Sequence, residues 1–368
     1  MGEPTESAAQ PDTSRRTPLR LLVVCPSWLG DVVMATPALR LLRSRLPGSF
    51  IGGLVRPGLD ELLAGTDFFD ELHVDRARGM MGPKHVAAKI RPRRYDAAVL
   101  LTNSFSTALI TRLAFIPRRI GYDRDGRGLL LTDRLAPERV GGGKRFKCVS
   151  AVEYYLRAAR AVVGVEESGS PIRLELGVSA EQALAGHAVL ERAGVREGEK
   201  YAVLNPGANN PAKRWPVERF AAVGAHLVKV HGFKALVNGS PGEAELCDEV
   251  VGGIGASAFA LPRAGITIGA LKHVVRGAQV MVTNDTGPRH VAAAFGVPVV
   301  TLFGPTDPRW TTLPEGGSAH AEVAAGSDGG LPEGEIADDH PEECRIDGIE
   351  VERVVGAVEG VLMGNGRE

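Results

Sequence analysis

Apolar positions along this chain fall into two alternating patterns. Leu19-Arg20-Leu21-Leu22-Val23-Val24-Cys25 is a short, nearly continuous apolar run, the pattern of a strand buried on both faces of a parallel sheet. After the turn Pro26-Ser27-Trp28-Leu29-Gly30-Asp31, apolar residues recur at helical spacing at Val32, Ala35, Leu39, Leu42 and Leu46. Pro37 leaves two readings of that helix. It starts at Thr36 as N-cap with Pro37 at its first position, or it starts at Asp31 and kinks. Strands are expected again at Phe50 to Val55 and Asp96 to Thr102. Helical stretches lie between and after them, including Val149 to Val163.

Gly164 to Ser179 is rich in Gly, Ser, Pro and Glu and reads as a connection between domains. The alternation then restarts. Helices at Ala180 to Ala193, Val217 to His231, Ala270 to Gly277 and Pro288 to Phe295 each precede a strand. Those strands are Tyr201 to Asn205, Phe233 to Asn238, Gln279 to Thr283 and Val297 to Phe303. Strand–helix alternation of this kind predicts an α/β protein of two doubly wound, Rossmann-like domains. The expected limits are 19–165 for the first domain, 166–180 for the linker and 181–346 for the second, with a final helical segment at 347–368. Pro314 to Pro341 is rich in Gly, Ala and acidic residues without periodicity, and a mobile loop or lid is expected there.

The chain has 368 residues, enough for two domains. Hydrophobic residues are 44% and charged residues 24%, a globular balance. The formal net charge of −1 argues against a general nucleic-acid binder. Cys25, Cys148, Cys247 and Cys344 are far apart and form no Cys-x-x-Cys pair, so neither a zinc site nor a disulfide framework is expected. No apolar run is long enough to span a bilayer. Residues 1–18 are polar, lack the apolar core of a signal peptide and read as a disordered tail. A cytoplasmic protein is expected, with room for peripheral contact with a membrane surface.

Candidate chemistry gathers where strands end. Thr283-Asn284-Asp285-Thr286-Gly287-Pro288-Arg289-His290 carries the chain from a strand into a helix. The free N–H groups and positive dipole end of such a helix suit an anion. Its plain alternative is an ordinary capped helix. His290 has two readings, a catalytic histidine or a first-turn histidine bonded to backbone or phosphate, and the second is preferred. The loop Asn205-Pro206-Gly207-Ala208-Asn209-Asn210-Pro211-Ala212-Lys213-Arg214 has small residues for close backbone approach and cations suited to phosphate. A solvated loop is its alternative. Glu243 ends a third such segment, either accepting from ribose hydroxyls or stabilising a helix N-terminus. Asp31 follows the first strand as a general base or a helix cap. Ser27-Trp28-Leu29-Gly30-Asp31 is not a Gly-x-Gly-x-x-Gly loop, and there is no Walker A motif. Lys144, Arg145 and Lys147, with Arg91, Arg93 and Arg94, form basic clusters. They are either solvated surface or contacts for an anionic acceptor or lipid.

These segments together resemble glycosyltransferase family 9, on its heptosyltransferase II branch, over nearly the whole chain from about Leu19 to Leu362. The resemblance rests on Pro26-Ser27-Trp28-Leu29-Gly30-Asp31, Arg94-Tyr95-Asp96, Asn103-Ser104-Phe105 and Ile116-Pro117-Arg118-Arg119-Ile120-Gly121 in the first half. In the second half it rests on Pro206-Gly207-Ala208, Ala212-Lys213-Arg214-Trp215-Pro216, Asn284-Asp285-Thr286-Gly287, His290-Val291-Ala292-Ala293-Ala294 and Phe303-Gly304-Pro305-Thr306. It implies a GT-B architecture, two Rossmann-like domains facing across a cleft, with the last helix packing back on the first domain. It also implies inverting transfer of heptose from ADP-heptose to a hydroxyl of a lipid A–Kdo core, without a bound metal or other cofactor. Asp31 matches the family's general base and Lys213 the lysine at the diphosphate. Gly30, Ala208, Glu243, Asp285, Thr286, Gly287 and His290 match the donor site. Asn103, Ser104, Arg118, Arg119, Lys144 and Arg145 are expected on the acceptor side. The chain departs from the family pattern at Arg289, a position usually apolar. It departs again near Glu342-Glu343-Cys344-Arg345, which follows an acidic, Gly-rich insertion.

Two rivals remain at this level. One is another nucleotide-sugar transferase or epimerase of the same fold, with base choice governed by Glu243 and Gly265-Ile266-Thr267-Ile268. The other is a non-catalytic carbohydrate-binding homologue, against which the joint presence of Asp31 and Lys213 argues.

Overall fold

The computed structural model describes residues 19–76, 79–143, 145–166, 171–315, 317–325 and 337–364. Residues 1–18, read as a tail, and Lys144 lie outside the described residues. The first half alternates β1 (Arg20–Val24), α1 (Leu29–Met34), α2 (Thr36–Arg45), β2 (Phe50–Val55), α3 (Leu59–Leu63), β3 (Glu71–Val74), α4 (Gly82–Ile90), β4 (Ala97–Leu100), α5 (Phe105–Leu113), β5 (Arg118–Tyr122), β6 (Asp133–Leu135) and α6 (Ala151–Val163). The second half alternates α7 (Ala180–Arg192), β7 (Tyr201–Asn205), α8 (Val217–His231), β8 (Lys234–Val237), α9 (Ala244–Ile254), β9 (Ala258–Ala260), α10 (Ile268–Arg276), β10 (Val280–Asn284), α11 (Gly287–Ala294), β11 (Val299–Phe303), β12 (His320–Ala324) and α12 (Val351–Gly364).

Each half builds one six-stranded sheet. The orders are β3-β2-β1-β4-β5-β6 and β12-β11-β10-β7-β8-β9. Every pairing is parallel. Counted within each half the two orders are the same. Chain direction across the sheet reverses between β1 and β4 in one, and between β7 and β10 in the other. Such reversal points open a crevice at the carboxyl ends of the strands. The central strands β1, β7, β10 and β11 are buried throughout or nearly so, which is why they read as unbroken apolar runs.

The helix containing Pro37 follows the kinked reading, starting two residues before Asp31, and the N-cap of α2 is Ala35 rather than Thr36. Helix α1 covers Leu29–Met34 and α2 begins at Thr36, with Ala35 as the junction. The Thr36 hydroxyl donates to the Val33 carbonyl at 2.7 Å. Pro37 has no N–H to give the Val33 carbonyl, and the Thr36 hydroxyl takes that place.

Two expectations are corrected. The aperiodic stretch 314–341 contains edge strand β12, parallel to β11. Its polar sequence His-Ala-Glu-Val-Ala buries only Val323, so it hides from a hydrophobicity reading. The remainder of the proposed lid, residue 316 and residues 326–336, lies outside the described residues. The final helix α12 does not return to the first domain. Val354, Val358 and Val361, spaced for one helix face, join Val300, Leu302 and Val323 in the core of the second sheet.

The halves share a core. One apolar cluster runs from Leu21, Val23 and Val99 of the first sheet to Val203, Leu236 and Met281 of the second. Polar ties flank it. Buried Lys272 of α10 donates to the Leu62 and Ala64 carbonyls at 3.0 and 2.7 Å, closing the carboxyl end of α3. Glu61 of α3 accepts from the Gly269 amide at 3.1 Å. Both bonds complement helix dipoles across the domain boundary.

Candidate active site

The two reversal points face each other, and a cavity of about 630 Å³ lies between them. Small-ligand sites span roughly 300–1,000 Å³. From the first domain, Trp28 to Asp31 after β1 line it. From the second come the loops after β7, β8 and β10, with Ile266 to Ile268. Helices α1 and α11 touch end to end. A Cβ on Gly30 would lie 2.8 Å from His290 Cδ2, and one on Gly287 would lie 2.9 Å from Leu29 Cδ2. Only glycine at both positions lets the two helix N-termini approach this closely.

Asp31 stands in the first turn of α1, but Trp28 occupies the cap position and no side chain caps the helix. The capping reading of Asp31 therefore fails. Its Oδ1 accepts instead from the Tyr155 hydroxyl of α6 at 2.8 Å. Burial raises its pKa, the Tyr155 bond opposes that rise, and the charge of Asp285 adds to it. A half-buried carboxylate with raised basicity that lines the cavity suits proton abstraction.

Across the cavity, Asp285 is an anchor. It accepts from Lys213 Nζ at 2.8 Å, Arg289 Nη1 at 3.1 Å, Thr306 Oγ1 at 3.2 Å and Thr311 Oγ1 at 3.3 Å. Burial alone would raise its pKa. The charges of Arg289 and Lys213 overcome that and hold it at about 2. Lys213 is thereby fixed at the mouth of α11, whose N-cap is Thr286. Asn205 donates to Thr286 Oγ1 at 3.1 Å, and Asn238 donates to Asn205 Oδ1 at 2.6 Å. These buried amides tie three strand ends together.

His290 sits near the start of α11 and is buried, the position its preferred reading gave it, with no hydrogen bond to backbone among the described residues. Burial, with the Arg289 charge, lowers its pKa to about 3 against the pull of Asp285. A neutral imidazole of that basicity is no general base near pH 7. Its Nδ1 is buried without a hydrogen-bond partner among the described residues.

Glu243 takes up the helix N-terminal role of its two readings. Oε2 accepts from the Ser240 amide and hydroxyl at 2.8 and 2.7 Å, closing a capping box. Oε1 lies over Gly207, where an added Cβ would come within 2.3 Å of it.

Nine of the sequence-predicted residues thus line one cavity: Gly30, Asp31, Ala208, Lys213, Glu243, Asp285, Thr286, Gly287 and His290. The expected acceptor residues divide. Asn103 follows β4, on the cleft side, and its Oδ1 accepts from Arg127 at 3.1 Å and Tyr154 at 3.0 Å. Ser104 caps α5 through the Thr107 amide. Arg145 pairs with Asp339 of the second domain. Arg118 and Arg119 are corrected: they open β5, level with Ala97 and Ala98, at the amino ends of the strands. Arg118 pairs with Asp133 at 3.0 Å, and Arg119 donates to the Leu130 and Ile116 carbonyls. A strand's ligand-facing loop is the one after it, so these two arginines face away from the cleft.

Comparison with known proteins places this geometry. The sequence profile of glycosyltransferase family 9 (heptosyltransferase) matches residues 84–326.

The chain belongs to glycosyltransferase family 9.

It is 28% identical over 320 residues to lipopolysaccharide heptosyltransferase 2 of Salmonella typhimurium, covering 80% of this chain and 85% of that one. It is 28% identical over 324 residues to lipopolysaccharide heptosyltransferase 1 of Pseudomonas aeruginosa, covering 84% of each. Two solved structures share the fold. A family 9 glycosyltransferase from Veillonella parvula superposes with a TM-score of 0.78 at 22% identity, over 94% of this chain and 97% of that one. The ADP-heptose lps heptosyltransferase II of E. coli superposes at 0.75 and 24% identity, over 94% and 99%. The architecture is GT-B, and the chain is a glycosyltransferase.

Sequence reasoning missed Tyr155, Asn205 and Asn238. The asparagines carried a signal: each ends an apolar strand with an amide, where a buried polar group must find a partner. Tyr155 carried none, because it sits in the apolar stripe of α6 and meets Asp31 only in the folded chain. Tyr155→Phe removes the bond that lowers the Asp31 pKa, so that pKa rises further. The acid limb of the kcat/KM profile should then move to higher pH, with the thermal midpoint little changed. An unshifted acid limb would separate Tyr155 from the base.

Proposed function

We propose that this family 9 transferase moves heptose from ADP-heptose to a hydroxyl of a heptosyl-Kdo-lipid A type acceptor, with inversion at the anomeric carbon. The observation that carries the reading is the cavity itself, in which the Asp31 carboxylate faces Lys213 and the N-terminus of α11. Asp31 takes the proton of the acceptor hydroxyl. The freed oxygen attacks the anomeric carbon from the face opposite the diphosphate, the sugar–phosphate bond breaks, and ADP leaves with the bonding pair. Lys213 and the α11 amides stabilise the charge that grows on the diphosphate. Asp285 does not touch that anion: it holds Lys213 and is itself neutralised by Arg289. Glu243 and Ile266 to Ile268 line the end of the cavity suited to ribose and base. The proposal keeps Asn103 and Arg145, on the cleft side of the first domain, for the acceptor. The names of the curated relatives support the donor and acceptor classes. No helix among the described residues is long and apolar enough to cross a membrane. The proposed lipid acceptor, rather than this absence, puts the enzyme at the cytoplasmic face of the inner membrane, in peripheral contact with it.

The deciding experiment supplies ADP-heptose, with UDP-sugars as competitors, and lipid A cores carrying zero, one or two heptoses. The expected product is the one-heptose core heavier by a single heptose, with ADP released. Transfer only from a UDP-sugar would overturn the donor, epimerised sugar without transfer the reaction, and no turnover at all the enzyme reading.

Two further results are expected. Chelation should leave turnover intact, because Lys213 and a helix N-terminus replace a divalent cation at the diphosphate. Activity lost to chelator and restored by magnesium or manganese would overturn this. Lys213→Ala should lower donor kcat/KM about 10- to 100-fold, the value of a charge-assisted bond. It should melt near the parent, since Asp285 keeps Arg289 and two threonine hydroxyls. Full turnover in that variant would remove Lys213 from the donor site.

A further inference from the structure

A second cluster of chemistry-bearing residues lies away from the cleft. His226 and His231 belong to α8 and Glu359 to α12. Nε2 of each imidazole lies 2.8 Å from the same carboxylate oxygen, Glu359 Oε1. Their ligand-capable atoms all lie within 4.8 Å of one another. We propose that His226, His231 and Glu359 bind one divalent transition-metal ion of the zinc type, clamping α12 to α8. The proposal is independent of the donor and acceptor assigned above.

The donor set decides the class. Two imidazole nitrogens and one carboxylate oxygen suit zinc, whereas magnesium and calcium call for oxygen ligands. Zinc bonds of about 2.0–2.2 Å in a tetrahedron set ligand atoms roughly 3.3 Å apart. The two nitrogen–oxygen distances therefore open by about half an ångström, within reach of side-chain rotation. The three side chains are 23–27% exposed, which gives the ion an entry path and leaves room for water as fourth ligand. The ring of His231 is held by stacking on Phe233, with centroids 5.2 Å apart. The metal replaces any proton on Nε2, so uptake releases protons.

The site is structural. His226 lies nine residues beyond Val217, the first residue of α8, or about 14 Å along the helix away from the strand ends that form the cavity. What the ion fastens is α12, whose apolar face covers the second sheet.

The test uses the untagged full chain, washed with chelator and titrated with zinc chloride by calorimetry, with magnesium chloride as control. One equivalent of zinc should bind at about micromolar affinity or tighter and raise the melting temperature, and magnesium should do neither. Glu359→Gln, His226→Gln and His231→Gln, which melt like the metal-free parent, should each weaken zinc at least about tenfold. X-ray absorption at the zinc edge should find two imidazoles at about 2.0 Å. No uptake at one equivalent, or equal uptake by all three variants, would overturn the proposal and leave an imidazole–carboxylate hydrogen-bonded cluster.

Discussion

Asp31→Asn is expected to fold, to melt within a few degrees of the parent and to bind ADP-heptose normally, while turnover falls by at least about a hundredfold. The structure sharpens this expectation. Asp31 caps nothing, so no helix is lost with its charge. The Tyr155 hydroxyl, now 2.8 Å from Oδ1, bonds an amide oxygen equally well. Burial raises the Asp31 pKa, which means that the folded state disfavours the ionised form. The neutral amide relieves that cost, and stability above the unfolded carboxylate range should not drop. What disappears is the proton acceptor, worth on the order of 10² to 10⁴ in rate. Near-normal turnover by product mass would end the general-base mechanism, and a collapse in melting temperature would show a structural role instead.

Arg289→Met is expected to have the largest effect on stability. The guanidinium is fully buried and bonds Asp285 at 3.1 Å and Glu322 at 3.2 Å, with Phe303 beneath it at 4.7 Å. Breaking a buried pair by removing one partner costs about 3–5 kcal/mol, because it strands the other charge. Here it takes from Asp285 one of its two cationic partners, leaving Lys213 and the Thr306 and Thr311 hydroxyls, and it leaves Glu322 without its arginine partner on edge strand β12. A melting temperature lower by roughly ten degrees is expected. Donor KM should also rise, since Lys213 is then drawn more strongly to Asp285. A melting point within two or three degrees of the parent would show that the network contributes little. Glu322 supplies the charge that, with Asp285, balances the buried guanidinium.

The sequence by itself determined the two-sheet α/β fold, the buried central strands and the second-domain wall of the cavity. Those features are local. A strand buried on both faces must be an unbroken apolar run, and a loop that bends into a helix N-terminus keeps Gly, Thr and Asp within a few residues of one another. Thus β1, β7 and β10, and the cluster Asp285-Thr286-Gly287-His290, could be read from neighbouring letters. Edge strands could not. Strands β3, β6, β9 and β12 are short and partly exposed, so no apolar run marks them.

Only the tertiary structure decided which charged residues share the site. Arg118 and Arg119 look as fit for an anionic acceptor as Lys213 does for a diphosphate. Yet they stand at the amino end of β5, and strand direction turns them from the cleft. Tyr155 reaches Asp31 across 124 positions, and Glu322 reaches Arg289 from a different element. The end of α12 was equally undetermined. Its valines required an apolar surface, but either sheet could have supplied one, and the packing of β11, β12 and α8 chose the second. Side-chain type fixes what a residue can do, while the direction of the strand or helix that carries it fixes what it can reach.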